Sequence, residues 1–222
     1  MRILIKFPTR GRPRQFLTTL KGWLDFAEDL SRISVLVSYD YDDHTMTPEV
    51  IKEAESLHPA LVAVKGASES KIAACNRDLR EHGGDWDVVL LCSDDMWANR
   101  KGWDTMIREN MARHFPDTDG ALWFFDGYQD RINTLECVGR KRFESFGYLY
   151  FPEYRSFFCD NESSAVGLRD KKLARIEKQI CSHQHPAWGR GMKEDETYRR
   201  NSGAWKHDEA LFFKRQREGF PK

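Results

Sequence analysis

VVLLCSDDMWANRKGW, residues 88–103, runs from uninterrupted apolar sequence straight into two adjacent acids. Val88 to Cys92 has the length and apolar character of a strand buried on both faces. Asp94 and Asp95 follow at its end, where charge is costly to bury. Neighbouring carboxylates raise one another's pKa unless a cation sits beside them. A hard divalent ion such as Mg²⁺ or Mn²⁺ takes ligands of this kind, often one or two carboxylates plus phosphate oxygens. The bland alternative is a polar strand-to-helix loop in which an aspartate caps the next helix.

The same alternation repeats outward from this stretch. Arg2 to Phe7, Ile33 to Tyr39, Leu61 to Val64 and Ala121 to Phe125 read as further strands. Between them, apolar residues recur at spacings of three and four: Phe16, Leu17, Leu20, Trp23, Leu24 and Ala27, then Val50, Ile51, Ala54 and Leu57. Thr47-Pro48 suits the start of the second of these helices. Another helix is expected from about Ser70 to Glu81, and one more through Trp103, Met106, Ile107 and Met111. Continuous apolar strands alternating with helices predict an α/β fold, a mostly parallel central sheet flanked by helices. The last hundred residues differ: an aromatic block (FESFGYLYFPEYRSFF), a charged helix expected over Glu162 to Lys178, a β-prone Gln179 to Ser182, and a polar tail.

Lys+Arg and Asp+Glu balance at 35 each in 222 residues, which removes any general attraction to nucleic acid or anionic membrane. No run approaches the ~18 apolar residues of a membrane span, and the first residues lack the ~7–15 apolar core of a signal peptide. A soluble, cytoplasmic chain is expected, in the host cytoplasm if phage-encoded. The five scattered cysteines suggest buried thiols rather than disulfides or a thiolate zinc site.

In open α/β sheets ligands bind beyond the carboxyl ends of the strands. Here those positions carry Thr9-Arg10-Gly11-Arg12, then Asp40, Asp42 and Asp43, then Ser93-Asp94-Asp95, then Asp126-Gly127. Neither G-x-x-x-x-G-K-[ST] nor G-x-G-x-x-G is present, so phosphate contact would come from guanidinium forks. That disfavours P-loop enzymes and dinucleotide oxidoreductases. His183 and His185 share a face if the strand continues, and two such histidines can hold a metal or a diphosphate. H-E-x-x-H is missing, which argues against a zinc hydrolase. In Phe157-Phe158-Cys159-Asp160-Asn161-Glu162, acids open a helix, as the dipole alone would favour. A carboxylate beside aromatics can also serve as a general base with a raised pKa.

The order T-R-G-R-P, acidic loop, KIAACNRDL, S-D-D-M, C-D-N-E and H-x-H-P resembles the glycosyltransferase-A (GT-A) fold over about residues 1–190. Within that fold it is similar to family 2-like transferases, including small phage and bacterial members. The resemblance implies one domain over 1–222, with a nucleotide-sugar-binding half (1–125) and an acceptor-binding, closing half (126–222). It implies that Thr9, Arg10 and Arg12 lie beside the donor nucleotide, and that Asp40, Asp42 or Asp43 contacts its base or ribose. Lys71 and Asn76 would line the donor site. Ser93-Asp94-Asp95 would match the D-x-D-type motif, with serine in the first place, Asp95 as ligand to Mn²⁺ or Mg²⁺ and Asp94 nearer the sugar or ribose. Asp160, with Glu162 as the fallback, would be the catalytic carboxylate of an inverting reaction, and His185 or His183 would reach the metal or diphosphate.

The expected activity is metal-dependent transfer of a sugar from a nucleotide-diphosphate sugar to an acceptor hydroxyl. Some small phage enzymes of this type modify hydroxymethylated pyrimidines in DNA. The acceptor is therefore a modified DNA base or a saccharide, with Arg140-Lys141-Arg142, Lys171-Lys172, Tyr148, Tyr150, Tyr154 and Trp188 as candidate contacts. Solvated helix faces and core aromatics are the bland reading of those residues. A nucleotidyltransferase of related fold, a metal-dependent phosphoesterase or nuclease, and a nucleotide-sugar-binding module are the rival readings. No membrane contact is expected, and no protein partner can be inferred.

Overall fold

Continuous apolar runs become interior strands, as both faces of the sheet are covered. The computed structural model describes residues 1–185 and 195–222. β1 (Ile3–Pro8), β2 (Ile33–Asp40), β3 (Leu61–Gly66) and β4 (Val88–Leu91) are parallel neighbours in the order β3-β2-β1-β4. Beyond β4 the sheet continues through β7 (Cys137–Gly139), β6 (Ala121–Phe125) and β8 (Leu173–Gln179). β7 runs antiparallel to both its neighbours, whereas β8 is parallel to β6. A separate ribbon pairs β5 (Met96–Ala98) with β9 (Cys181–His183). The chain leaves β1 in one direction and reaches β4 on its other side, so the gap between these strands is the topological switch point where α/β sheets bind ligands.

Side chains alternate along β1. Ile3, Ile5 and Phe7 pack with Phe16, Leu20 and Trp23 of α1 (Pro13–Asp25) on one face. Leu4 joins Leu36, Val89 and Trp86 on the other. Trp103, which ends the opening stretch, begins α5 (Trp103–His114) and meets Trp23 edge-on at 4.9 Å. Its indole N–H donates to the Trp23 carbonyl, and that of Trp23 donates to the Met96 carbonyl, both at 2.8 Å. These bonds fix the loop after β4 against α1. Thr47 caps α2 (Pro48–Leu57), as its sequence predicts. All five cysteines are buried thiols.

The helix expected over 70–81 is instead two pieces, α3 (Lys71–Asn76) and α4 (Leu79–His82). Lys6, fully buried in β1, reaches the Arg77 carbonyl at 2.9 Å and the Ser38 hydroxyl, and Ser38 in turn donates to Asp78 at 2.5 Å. Burial lowers the Lys6 pKa to about 8, with Asp78 opposing. Satisfying this buried ammonium takes Arg77 out of the helix and leaves Asp78 at φ +71°.

The second correction is the helix expected over 162–178. α7 (Cys159–Arg169) ends at the turn containing Lys171 (φ +57°), and Leu173–Gln179 forms edge strand β8. Its charges mimic a solvated helix but suit an edge, where they discourage pairing with other chains. The aromatic block supplies α6 (Arg140–Phe146) only at its start. The polar tail folds into α8 (Glu196–Ser202) and α9 (Trp205–Arg217).

Asp208 of α9 is fully buried and accepts from the backbone N–H groups of Arg155, Ser156 and Phe157 at 3.0, 2.8 and 2.8 Å. It thereby fixes the approach to α7. Replacing it with alanine is expected to cost about 3 kcal/mol, as three backbone donors, Ser156 N–H fully buried among them, lose a charged acceptor. Thermal unfolding should then show a fall in Tm of roughly 6–12 °C for a chain of this size. An unchanged Tm would mean that this carboxylate does not hold the loop.

Candidate active site

A cavity of about 310 Å³ opens at the switch point. The β1 end contributes Thr9, Arg10 and Arg12, the β2 end Asp40, and the β4 end Ser93, Asp94 and Asp95. Lys71 lines it from α3, Arg155 and Ser156 from the loop that Asp208 holds, and Thr197, Tyr198, Arg200 and Asn201 from α8.

Asp94 and Asp95 face this cavity and are each compensated. Arg12 donates to Asp94 at 2.9 Å, while its other nitrogens fork onto Asp195 at 2.6 and 2.7 Å. Burial nonetheless pushes the Asp94 pKa up to about 6, and its neighbour Asp95 adds to the rise. Asp95 behaves oppositely. Burial would raise its pKa, but His183, Lys71 and Ser93 together hold it well below the usual carboxylate range. The Tyr198 hydroxyl lies 2.8 Å from Asp95 Oδ2, and the Tyr198 ring stacks under the Arg12 guanidinium at 4.1 Å. Gly11, at φ +73°, brings the first loop against α8: a Cβ there would lie 3.2 Å from the Thr197 hydroxyl.

His183 stands between two acids, with Nδ1 3.2 Å from Asp126 and Nε2 3.6 Å from Asp95. Burial lowers its pKa, yet the two carboxylates outweigh that and raise it to about 9. In its protonated form it is a counter-ion to both carboxylates. Asp126 is fully buried and also accepts from Tyr128 N, Gln129 N and the Thr134 hydroxyl at 2.8, 2.6 and 2.6 Å. His185 packs edge-on to Tyr198 at 5.1 Å and to His183 at 5.8 Å. Among the described residues, no three His, Cys, Asp or Glu side chains are grouped to hold a metal ion.

Asp160 sits in the first turn of α7, outside the cavity wall but within electrostatic reach of Lys71 and His183. Burial raises its pKa, against the pull of Lys71. Lys71 is exposed to the cavity yet closely surrounded by protein. Burial works to lower its pKa, and the charges of Asp95 and, less strongly, Asp160 raise it overall.

Other expected residues lie elsewhere. The Glu162 carboxylate is taken by Arg215, at 2.8 Å, and by the Tyr154 hydroxyl, at 2.8 Å. Asn76 spends its side-chain amide on the backbone of Leu149 and Tyr150. Asp42 forks onto Arg10 at 2.5 and 2.8 Å on the surface, and Arg10 also meets Asp40 at 2.8 Å. Asp43 staples its own loop through Gly11 N and Thr45. Arg140, Lys141, Arg142 and Lys172 each pair with an acid, and Tyr150 and Tyr154 are buried. Trp188 lies outside the described residues.

Asp195, Thr197, Tyr198 and Arg200 are absent from the sequence-based expectation. Their only local signal is an aspartate opening a short helix, which Asp195 does by accepting from Tyr198 N.

Solved structures share this fold. The fold is the GT-A fold. A mannosyltransferase from Pyrobaculum calidifontis, solved with GDP-Man and Mn²⁺, matches 84% of this chain at TM-score 0.67 and 16% identity. TarS of S. aureus, residues 1–349 with UDP-GlcNAc, matches 89% at TM-score 0.66 and 11% identity. A 4-diphosphocytidyl-2C-methyl-D-erythritol synthase from Anaerococcus prevotii matches 79% of the chain and 86% of its own, at TM-score 0.55 and 14% identity. The chain spans 59% of the mannosyltransferase and 60% of the TarS fragment. No family profile and no curated protein matches the sequence. Among the described residues no helix is long and apolar enough to cross a membrane.

Proposed function

We propose that this chain transfers a sugar from a nucleoside diphosphate sugar to an acceptor hydroxyl. One observation carries the reading. Thr9 and Asp40 line the cavity at the switch point, and their Oγ1 and Oδ1 atoms are buried with no hydrogen-bond partner among the described residues. Buried polar atoms without partners are rare, and a bound ligand is one way to satisfy them. With Asp40 Oδ2 already held by Arg10, the remaining oxygen accepts one N–H. The Thr9 hydroxyl can donate to an adjacent carbonyl. A base edge with an N–H beside a carbonyl oxygen or a ring nitrogen fits this pair, and uracil, guanine, cytosine and adenine each present one.

With the base there, the diphosphate reaches the floor formed by Asp94 and Asp95 and the cations Lys71 and Arg200. Asp95, kept ionised, offers the hard oxygen that Mn²⁺ or Mg²⁺ prefers when phosphate oxygens complete its shell. His183, oriented by Asp126 at Nδ1, would offer Nε2 as a further ligand once a metal displaces its proton. When bound, such an ion supplies positive charge that stabilises the departing diphosphate.

Asp160 takes the proton of the acceptor hydroxyl as that oxygen bonds to the anomeric carbon. The bond from that carbon to the phosphate oxygen breaks, and its electron pair leaves with the nucleoside diphosphate. Attack opposite the leaving group inverts the anomeric centre. Because the basic clusters at 140–142 and Lys172 are neutralised by acids, a saccharide acceptor is favoured over DNA. The likeness to the 4-diphosphocytidyl-2C-methyl-D-erythritol synthase motivates nucleotidyl transfer as the second reading; release of pyrophosphate would identify it.

Thermal shift assays with UDP, GDP, CDP and ADP in the presence of Mn²⁺ test this placement of the nucleotide. At least one of the four should stabilise the protein. Thr9→Val or Asp40→Ala should weaken the successful nucleotide about tenfold, the loss expected for one buried hydrogen bond. Stabilisation by none, or unchanged nucleotide affinity in both variants, would contradict the reading.

A further inference from the structure

Tyr198 stands on α8, in the tail of the chain, yet its hydroxyl donates to Asp95 Oδ2 at 2.8 Å. Its ring lies against the Arg12 guanidinium at 4.1 Å and meets the His185 ring edge-on at 5.1 Å. Burial and the neighbouring Asp95 raise the pKa of this phenol, so it stays protonated and acts as a donor. The other Asp95 oxygen accepts from Ser93, two residues away on the same loop. Ser93 moves with Asp95, whereas Tyr198 belongs to a separate element. Of these two hydroxyls, that of Tyr198 can leave without disturbing the end of β4.

The direction from which an ion reaches Asp95 decides what it displaces. His183 Nε2 lies 3.6 Å from Oδ2, but Tyr198 lines the nucleotide cavity and His183 does not. An ion shared between Asp95 and a diphosphate in that cavity therefore meets Oδ2 on the side that the hydroxyl occupies. A divalent ion and an O–H donor compete there for the same lone pair.

On the reading that this chain transfers a sugar with an ion at Asp95, we propose that Tyr198 couples the ion to the donor. The ion displaces the hydroxyl from Asp95, and the hydroxyl turns to donate to a phosphate oxygen. The ion alone must break a charge-assisted hydrogen bond, and the diphosphate alone finds the hydroxyl engaged. Together they exchange one charge-assisted bond for another. Each thereby strengthens the binding of the other, as reciprocal linkage requires.

Tyr198→Phe keeps the ring over Arg12 and removes only the hydroxyl. Binding of Mn²⁺ alone is read by electron paramagnetic resonance, from loss of the free-ion signal. Whichever of UDP, GDP, CDP and ADP binds the unaltered protein best is then titrated calorimetrically, with and without saturating Mn²⁺. Mn²⁺ alone should bind the variant about tenfold more tightly, since it no longer displaces a hydrogen bond to a charged group. The nucleotide should bind the Mn²⁺-loaded variant about tenfold more weakly, and its affinity without metal should be unchanged. Shifts of opposite sign distinguish coupling from a structural role, which would weaken both. The proposal is overturned if the variant binds Mn²⁺ no more tightly than the unaltered protein, or if its Mn²⁺-loaded form binds the nucleotide equally well. Weaker Mn²⁺ binding would mean that the hydroxyl ligates the ion itself or only packs. Nucleotide binding independent of Mn²⁺ in the unaltered protein would remove the ion from Asp95, and the coupling with it.

Discussion

Replacing Asp160 with asparagine is expected to lower sugar transfer by roughly 10²–10⁴-fold, the range lost with a general base, while nucleotide affinity stays unchanged. Asp160 lies outside the wall of the nucleotide cavity, so its removal leaves every proposed donor contact in place. Its pKa is raised, chiefly by burial, which makes it a stronger proton acceptor than a surface aspartate. Lys71 limits that rise and keeps the carboxylate available. The asparagine retains the shape and the bond to the Asn161 N–H but cannot accept the acceptor's proton. Initial rates of transfer and calorimetric titration of the nucleotide give the two readouts. Equal loss of binding and turnover would assign Asp160 to donor binding; unchanged turnover would remove it from the chemistry.

Asp95→Asn is expected to lower kcat/KM by about 10²–10³-fold, comparable to deleting one preorganised group that stabilises transition-state charge. The effect differs from that of Asp160→Asn in one respect: Mn²⁺ should no longer increase the thermal stabilisation given by the nucleotide. Asp95 is the carboxylate kept ionised, whereas Asp94 is spent on Arg12 and has its pKa raised. Its partners Ser93, Tyr198 and His183 orient it without forming a metal cage. Circular dichroism of the variant separates this loss from unfolding. Metal-dependent turnover at the unaltered rate would exclude Asp95 as the ion's ligand.

The sheet was legible where burial on both faces forces unbroken apolar sequence, as in Ile3–Phe7, Ile33–Val37 and Val88–Leu91. It was also legible where a cap has a local chemical cause, as at Thr47. It was not legible where structure depends on distant partners. Cys137–Gly139 is too short to show a period and becomes a strand only because β4 and β6 flank it. Leu173–Gln179 carries charges because it is an edge. The break at Arg77 is set by Lys6, seventy-one residues earlier.

The site followed the same division. Thr9, Arg10, Arg12, Asp40, Asp94 and Asp95 converge because strand ends in a parallel sheet must do so. Tyr198 meets Asp95 across 103 positions, and no local pattern announces that pair. Asn76 and Glu162 have the residue types of a site, yet their polar atoms are consumed by Tyr150 and by Arg215. His183 has the residue type of a metal ligand, and the acid that orients its ring, Asp126, lies 57 positions earlier.

The most direct measurement is a crystal structure of the protein with an intact UDP-sugar and Mn²⁺. The base should place an N–H on Asp40 and an acceptor, carbonyl oxygen or ring nitrogen, toward Thr9; the diphosphate should lie by Asp95, and the sugar should present its anomeric carbon toward Asp160. A nucleotide bound elsewhere, or one in this cavity whose diphosphate and ion lie away from Asp95, would contradict sugar transfer at this site.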